Sequence, residues 1–565
     1  MQYFVLHYHH KGVIIKSEKK TITGKDVLYM KFKEFLKNFY ASIKESISRF
    51  FIVFVCTILF FLTLSFEIVF ETNTDEIIVP LCMTYGLVAV LSVLLKTAQE
   101  YICNKLRPSI QNILCAVTGV AGFLLIKFNY ESLYTVMAYT GIMIALGCFI
   151  FFILMRDENR DLAFPRVVTS WVFTSAICSV LSGGLSTCIA AFQTLVFTWS
   201  NSYKLYLIVN LFVWTVGFIN IFLSFVPKKD IPLPQSKILR TFILFAGLPL
   251  YILLIFILLV YLAKIVVTWN MPIGEINWFA SFASLFFIFF LLSVMQYTEK
   301  IAKLYVKYGG YFLAPVLIMQ AIAVFERINA YGLTTPRTVS LVLIIISILF
   351  IAGSIIVPKH LNKIALISGI IVLLVTITPF NVIDMPIASQ TKILETTLIK
   401  NNMLKNGTVI PNAKVGDKDA EKIISAYEYL KYDAKKVPEF IPDSKHNISE
   451  IFGFTKKSDY DRYGNSSIYC RFHTKDLVDI SEYNKMISGL DNNDIIKIEH
   501  NDKQYEIDLK QVDKSLYVKY GNEKSEVDIY IVNDNIALYF TNFSFIIADE
   551  EPTNCYFSGY VLIKE

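Results

Sequence analysis

Charge is what this chain has least of. Only 18% of its 565 residues are Asp, Glu, Lys or Arg, against about 25% in soluble domains. Apolar residues make up 55%, aromatics 15%, and the mean hydropathy is +0.51. That balance excludes an ordinary soluble enzyme. Inside the long apolar runs, ionisable groups are scarcer still: Glu67, Lys96, Lys127 and Lys264 fall near run ends, and no His lies within a run. Ionisable residues at bilayer depth are costly and usually functional. Their scarcity lowers the case for a proton-coupled pump or an intramembrane acyltransferase and leaves transport of an apolar or lipid-like substrate open. No Gly-rich phosphate loop or nucleic-acid motif occurs, so nothing points to ATP-driven work or a nucleic-acid partner. Seven of the nine cysteines lie in or beside apolar runs without metal-ligand spacing, and no cofactor or metal is expected. Residues 1–30 lack the apolar core and cleavage site of a secretory signal. Met30 is an alternative start, which would leave "HYHH" (His7–His10), a weak metal-clip pattern, outside the translated chain.

What is abundant is membrane-length apolar sequence. A spanning helix needs about 20 mostly apolar residues. Such runs lie near 50–70, 77–96, 109–127, 134–155, 166–194, 203–226, 239–264, 278–297, 308–326, 338–357 and 363–380. The ninth is the weakest, because it follows the amphipathic "EKIAKLYVKYGG" and contains Pro315; the fifth carries a candidate break at Gly183-Gly184. Residues 391–565 hold 23 Lys+Arg and 29 Asp+Glu; subtraction from 53 and 47 leaves 30 and 18 for residues 1–390, a net of +12 against −6. Lys and Arg favour cytoplasmic loops. With the N-terminus inside, fifteen cations fall in inner connections and five in outer ones. Trp199, Trp269 and Trp278 then sit at outer span ends, as an aromatic belt would. The expected organisation is therefore a cytoplasmic segment (1–49), an α-helical transmembrane domain of about eleven spans (50–380) and an extracytoplasmic C-terminal domain (381–565).

Ahead of the first span, Phe32, Phe35, Leu36, Phe39, Ile43 and Ile47 recur at helical spacing, with Lys33, Lys37 and Lys44 opposite. This pattern predicts an interfacial helix on the inner leaflet, the alternative being a helix docked on the protein's own inner loops. In the fifth span, Ser175, Ser179, Gly183 and Thr187 repeat every fourth residue, a stripe that suits close helix packing or, alternatively, a substrate groove. The loop "ERINAYGLTTPR" (326–337) reads as turn chemistry: Gly332 left-handed past the ninth helix, Thr335 capping the tenth, Pro336 at its first position. Arg337 is the exception, since a cation in a first helical turn opposes the macrodipole. Arg327 and Arg337 are the candidate anion site, for a lipid headgroup phosphate or for carboxylates such as Glu326 or Asp384; the alternative is that both snorkel to headgroups.

"RINAYGLTTPR", Pro379-Phe380, Ser389-Gln390 and "LIKNNMLKNGTVIP" with its Gly407 resemble the bacterial polytopic family termed domain of unknown function 4153. The pattern departs at Thr378, often Gly there, and at Ala388, often basic. The resemblance implies a bacterial plasma-membrane protein with this architecture and adds no catalytic residue.

Beyond the spans, an amphipathic helix is expected over 386–404 with Gly407 past its end, and a second after Asp417 or Asp419 carrying Ile423, Ile424, Tyr427 and Leu430. From about Ser467 the period becomes two. A hairpin is expected to turn at Asn501-Asp502, a strand to carry Val527, Ile529 and Ile531, and further strands to lie near 543–548 and 556–563. The fold class is α+β with an antiparallel sheet or small sandwich. Cys470 and Cys555 are a candidate disulfide in an oxidising exterior, or else two free thiols. "DYD" (Asp459–Asp461) and "DNND" (Asp491–Asp494) read as solvated turns in preference to cation sites. His446, His473 and His500 are scattered, and no nucleophile–base pair can be named. The leading expectation is a non-enzymatic scaffold or receptor presenting its outer domain to an envelope protein, glycan or lipid. A lipid transporter or flippase is the first alternative. A many-span lipid-linked-sugar transferase is the second, with only Glu71, Asp75 and Glu76 as first-loop acids.

Overall fold

Each apolar run folds as a helix because a backbone in lipid must satisfy its own hydrogen bonds. The computed structural model describes residues 24–564 except 73, 103–106, 157–159, 197–200, 230–235, 269–274, 406, 413, 443–447, 455–467, 475–479, 494, 501–502, 510–524, 528–529, 534 and 549–550. His7–His10, Trp199, Trp269, His446 and Asp459–Asp461 therefore lie outside the described residues. Helix α1 covers Gly24–Arg49. Eleven helices long and apolar enough to cross a membrane follow: α2 Phe51–Phe70, α3 Asp75–Tyr101, α4 Pro108–Phe128, α5 Leu133–Leu154, α6 Arg160–Leu195, α7 Ser202–Ser224, α8 Lys237–Thr268, α9 Glu275–Val294, α10 Lys300–Tyr331, α11 Thr335–Ile356 and α12 Leu361–Ile377. Single π-turns interrupt α7 at Val213–Gly217 and α8 at Ile243–Gly247. The Gly183-Gly184 step does not break α6. The ninth span absorbs the whole amphipathic stretch before it and carries Pro315 inside the helix.

The chain divides into two compact units, residues 1–395 with 425–438, and residues 396–424 with 439–565. In the first, lipid is as apolar as leucine, so cohesion comes from close approach and hydrogen bonds. Helices α5 and α12 show this: a Cβ at Gly141 would collide with Thr376, and one at Gly369 would lie 2.7 Å from the Phe149 ring. Two glycine notches thus seat these antiparallel helices against each other. The largest buried cluster runs through α7–α11, with Phe287, Leu291, Leu248 and Leu313 fully enclosed. Inside it, Tyr251 donates to the Ala283 carbonyl at 3.1 Å.

Helix α1 is docked on the protein along its second half. Phe39 and Ile43 pack against Cys178, Val213 and Ile221, and Glu45 pairs with Lys228 at 2.5 Å. Of its exposed aromatics, Tyr40 faces outward. Residues 39–49 thus contact the chain's own helices α6 and α7 and the connection after α7.

After α12 comes α13 (Asp384–Lys400), shorter than expected because Asn402 takes a left-handed conformation just beyond it. Gly407, at φ +75°, serves instead in the tight turn between β1 (Leu404–Lys405) and β2 (Thr408–Val409). Helix α14 (Asp417–Glu428) runs on through a π-turn to Asp433 and buries Ile423, Ile424, Tyr427 and Leu430 as expected. The short α15 (Ile448–Phe452) precedes the strands.

Those strands are β3 (Ile468–Thr474), β4 (Lys485–Asn493), β5 (Ile495–His500), β6 (Lys503–Asp508), β7 (Ser525–Val527), β8 (Tyr530–Asn533), β9 (Ile536–Ala548) and β10 (Glu551–Ile563). The hairpin β5–β6 pairs His500 with Lys503; the turn expected at Asn501-Asp502 lies outside the described residues. The main sheet runs β4-β10-β9-β3-β7, with β8 also pairing β9. The sheet is antiparallel, as expected, except where β7 joins β3 in parallel, Phe472 opposite Ser525. Asp491–Asn493 are strand residues of β4 opposite Ser558–Tyr556, not a turn.

Candidate functional site

The connection between α10 and α11 is held from several directions. Gly332 closes α10, its N–H bonding Ile328 O at 2.8 Å. Its φ of +76° was expected, but its ψ of −179° is not left-handed helical; this region is essentially reserved for glycine. A Cβ there would strike Ile393 and come within 3.0 Å of Gln390 Nε2 and 3.2 Å of Ser389 Oγ. Helix α13 therefore lies directly on the loop backbone. Ser389 Oγ accepts from the Leu333 N–H at 3.0 Å, and Gln390 Nε2 donates to the Tyr331 and Leu333 carbonyls at 2.8 Å each. Orphan backbone groups at the helix end are thus satisfied by side chains about 57 residues away.

Thr335 does not cap α11. Thr334 holds the cap position with no side-chain bond to the helix, and Thr335 is its first residue. The Thr335 hydroxyl instead donates to Val382 O at 2.9 Å, and the Tyr429 hydroxyl lies 2.9 Å from it and 3.3 Å from the Thr335 N–H. Tertiary partners captured the side chain that local grammar assigned to the cap.

Arg337 sits half-buried on the first turn of α11 and donates from Nη1 to the Gly332 carbonyl. That bond orients the guanidinium across the loop. Arg327, also half-buried, lies close enough for the two positive charges to repel each other. Neither arginine forms an ion pair with a carboxylate among the described residues. Asp384 is committed elsewhere: Oδ1 accepts from Tyr134 at 2.6 Å and Oδ2 from Asn381 at 2.7 Å. Asn381 in turn caps α13, its Oδ1 accepting from the Ile383 and Asp384 N–H groups. Glu326 is exposed and pairs with neither arginine among the described residues. Chemically, the loop end offers two guanidinium groups within electrostatic reach of each other, neither in an ion pair among the described residues.

The other residues singled out by pattern fall differently. On α6, Ser179, Gly183 and Thr187 are exposed and Ser175 is half-buried; a Cβ at Gly183 would meet nothing within 4 Å. The packed face is displaced by one residue. Cys178 contacts the Val213 carbonyl at 3.6 Å, and Asn210 of α7 engages the Ser182 hydroxyl and donates to Ser186 at 3.2 Å. Both faces are rich in small residues, and the half-buried amide of Asn210, which must find partners in lipid, selects between them. Cys470 on β3 is opposite Phe545 of β9, whereas Cys555 lies on β10, in the irregular step between Thr553 and Tyr556. Strand β9 stands between them.

One cluster was missed altogether. Gln320 of α10, fully buried, donates to Asn277 Oδ1 and Ser281 Oγ at 2.9 Å each, and Asn277 Nδ2 donates to Ser340 at 3.0 Å. Its signal is an amide within an apolar run, "LIMQAIAV", which a search for charged groups passes over. No group of three or more His, Cys, Asp or Glu able to hold a metal occurs among the described residues.

Eleven membrane-length helices among the described residues define a polytopic integral membrane protein. The chain belongs to the family described as Domain of unknown function (DUF4153), whose model matches residues 48–405. That match takes in every span among the described residues, the clamped loop, α13 and β1. No curated protein and no solved structure matches the chain.

Proposed function

We propose that this is a scaffold or receptor of the bacterial plasma membrane, in which Arg327 and Arg337 bind the phosphate of an anionic lipid headgroup and the C-terminal domain is presented to an envelope partner, glycan or lipid. The carrying observation is that the Gly332 carbonyl orients Arg337, that Arg327 is within electrostatic reach of it, and that Asp384 is already taken by Tyr134 and Asn381. Guanidinium suits phosphate because its donors are planar and bidentate, and a bound phosphate relieves the repulsion between the two cations.

The orientation rests on the cation bias of the connections. Eleven crossings from a cytoplasmic N-terminus deliver residues 381–565 to the extracytoplasmic side, and the arginine pair to the outer headgroup layer. A reporter enzyme fused after Glu565 that works only in the cytosol would sink that orientation.

For the site itself, the purified full chain is titrated with phosphatidylglycerol and with phosphatidylcholine, reading the unfolding midpoint. Arg327→Gln/Arg337→Gln is expected to lose part of the preference for phosphatidylglycerol and to remain folded. A double variant that keeps the wild-type preference refutes the headgroup role.

A further inference from the structure

The opposite end of α10 carries a second cationic cluster. Lys300, Lys303 and Lys307 are spaced i, i+3, i+7, which places them on one stripe over two turns, and all three are exposed. Together with Thr298, Leu304 and Tyr308 they line an open cavity of about 370 Å³. None of the three lysines pairs with a carboxylate among the described residues. The adjacent acid, Glu299, is engaged by Arg240.

We propose that Lys300, Lys303 and Lys307 form a binding site for the phosphate of an anionic phospholipid, separate from the arginine pair at the far end of the same helix. Three cations at this spacing repel one another, and a cation in the first turn also opposes the helix dipole. A bound phosphate removes both penalties. The Thr298 hydroxyl adds a neutral hydrogen-bonding group at the rim of the cavity. The wall also fits a lipid: Leu304, Tyr308 and, one turn on, Tyr311 are exposed apolar or aromatic surface beside the lysines, where acyl chains would lie. Lys307 stacks its ammonium 4.9 Å from the Tyr308 ring centre, which holds the cation at the cavity edge.

Depth points the same way. From Lys303 to Arg327 the helix advances 24 residues, about 36 Å at 1.5 Å per residue. A hydrocarbon core of about 30 Å between the two clusters leaves each at the phosphate level of its own leaflet. Polybasic surface at that level gains about fivefold in anionic-lipid affinity per lysine.

The test uses the purified full chain in neutral detergent. Bound lipid is counted by native mass spectrometry during titration with phosphatidylglycerol, phosphatidylcholine or inorganic phosphate. Wild type is expected to bind phosphatidylglycerol at two sites. Lys300→Gln/Lys303→Gln/Lys307→Gln should lose one of them, with affinity there falling about a hundredfold, while Arg327→Gln/Arg337→Gln keeps that one. Should the triple Gln variant not fold, the single variant Lys303→Gln is read instead, with about a fivefold loss expected at that site. The triple Arg variant, which preserves charge, should bind as wild type does. A triple Gln or Lys303→Gln variant with unchanged lipid count and affinity overturns the site. Inorganic phosphate displacing the lipid at equal concentration overturns the lipid as its occupant.

Discussion

Arg49 and Glu100, 51 residues apart in sequence, form a two-pronged ion pair, Nε to Oε1 at 2.9 Å and Nη2 to Oε2 at 2.6 Å. The same guanidinium donates to the carbonyls of Val226 and Pro227 at 3.0 and 2.9 Å. One side chain thus ties the end of α1 to the end of α3 and to the chain leaving α7. With Arg49 only 8% exposed, its removal strands a partly buried carboxylate and two carbonyls. Arg49→Ala is expected to cost about 3 kcal/mol, the range for breaking a largely buried pair. Arg49→Lys should recover only part of that, since an ammonium cannot make the fork. Chemical unfolding in detergent reads both; equal stability of Arg49→Ala and wild type would contradict the clamp.

The strand register bears on the two cysteines beyond the spans. Cys470 and Cys555 occupy strands on either side of β9, so about two inter-strand spacings, near 9.6 Å, separate their backbones. A disulfide needs Cα atoms within about 7 Å. Both positions are therefore expected to react with a maleimide in the denatured protein without prior reductant. A pair that labels only after reduction would contradict this register.

Sequence patterning carried the spans well because a membrane helix is specified by length and apolarity, both local properties. It did less well wherever a distant partner decides the outcome. Thr335 reads as a cap until Tyr429, 94 residues on, and the Val382 carbonyl claim its hydroxyl. The small stripe of α6 was legible, but its packed edge is set by Asn210 on another helix. The parallel β3–β7 pair joins segments some 50 residues apart, and alternation within a strand says nothing about partner or direction. At the candidate site, Arg327 and Arg337 were legible as the odd cations in a loop of turn residues. The clamp by Ser389 and Gln390 appeared in sequence only as a family resemblance, without a role.

Asp419 supplies a pH-dependent contact. Hydrogen bonds from Lys400, then from Asn401, hold its carboxyl below the ordinary value of 3.8, with Lys400 Nζ 2.8 Å from Oδ2. A folded-state value below the unfolded one means the contribution is complete above the unfolded pKa and lost as pH falls through the folded one. The contact is thus expected to stabilise the protein fully at pH 5–8 and to fade below about pH 4. Lys400 is largely exposed, so screening keeps the effect small. Comparing wild type with Asp419→Asn should show a stability difference at pH 7 that closes towards pH 3. A difference that is constant across that range would assign the residue another role.

Gly332 and Gly183 make opposite predictions for the same substitution. At Gly332 the backbone has φ +76° and ψ −179°, and any Cβ runs into Ile393. Strain in such a region costs about 1–3 kcal/mol; here α13 must also move, which would loosen the Ser389 and Gln390 bonds and release Arg337 from the Gly332 carbonyl. Gly332→Ala is therefore expected to destabilise the protein by at least about 2 kcal/mol and to weaken phosphatidylglycerol binding at the arginine site. At Gly183 a Cβ meets nothing within 4 Å in a continuous helix, so Gly183→Ala gains helix propensity, about 0.5–1 kcal/mol. Parallel unfolding curves for the two variants decide the matter. A stable Gly332→Ala would remove the argument that α13 and the loop are locked together. A destabilised Gly183→Ala would return the exposed α6 face to the role of a packing surface.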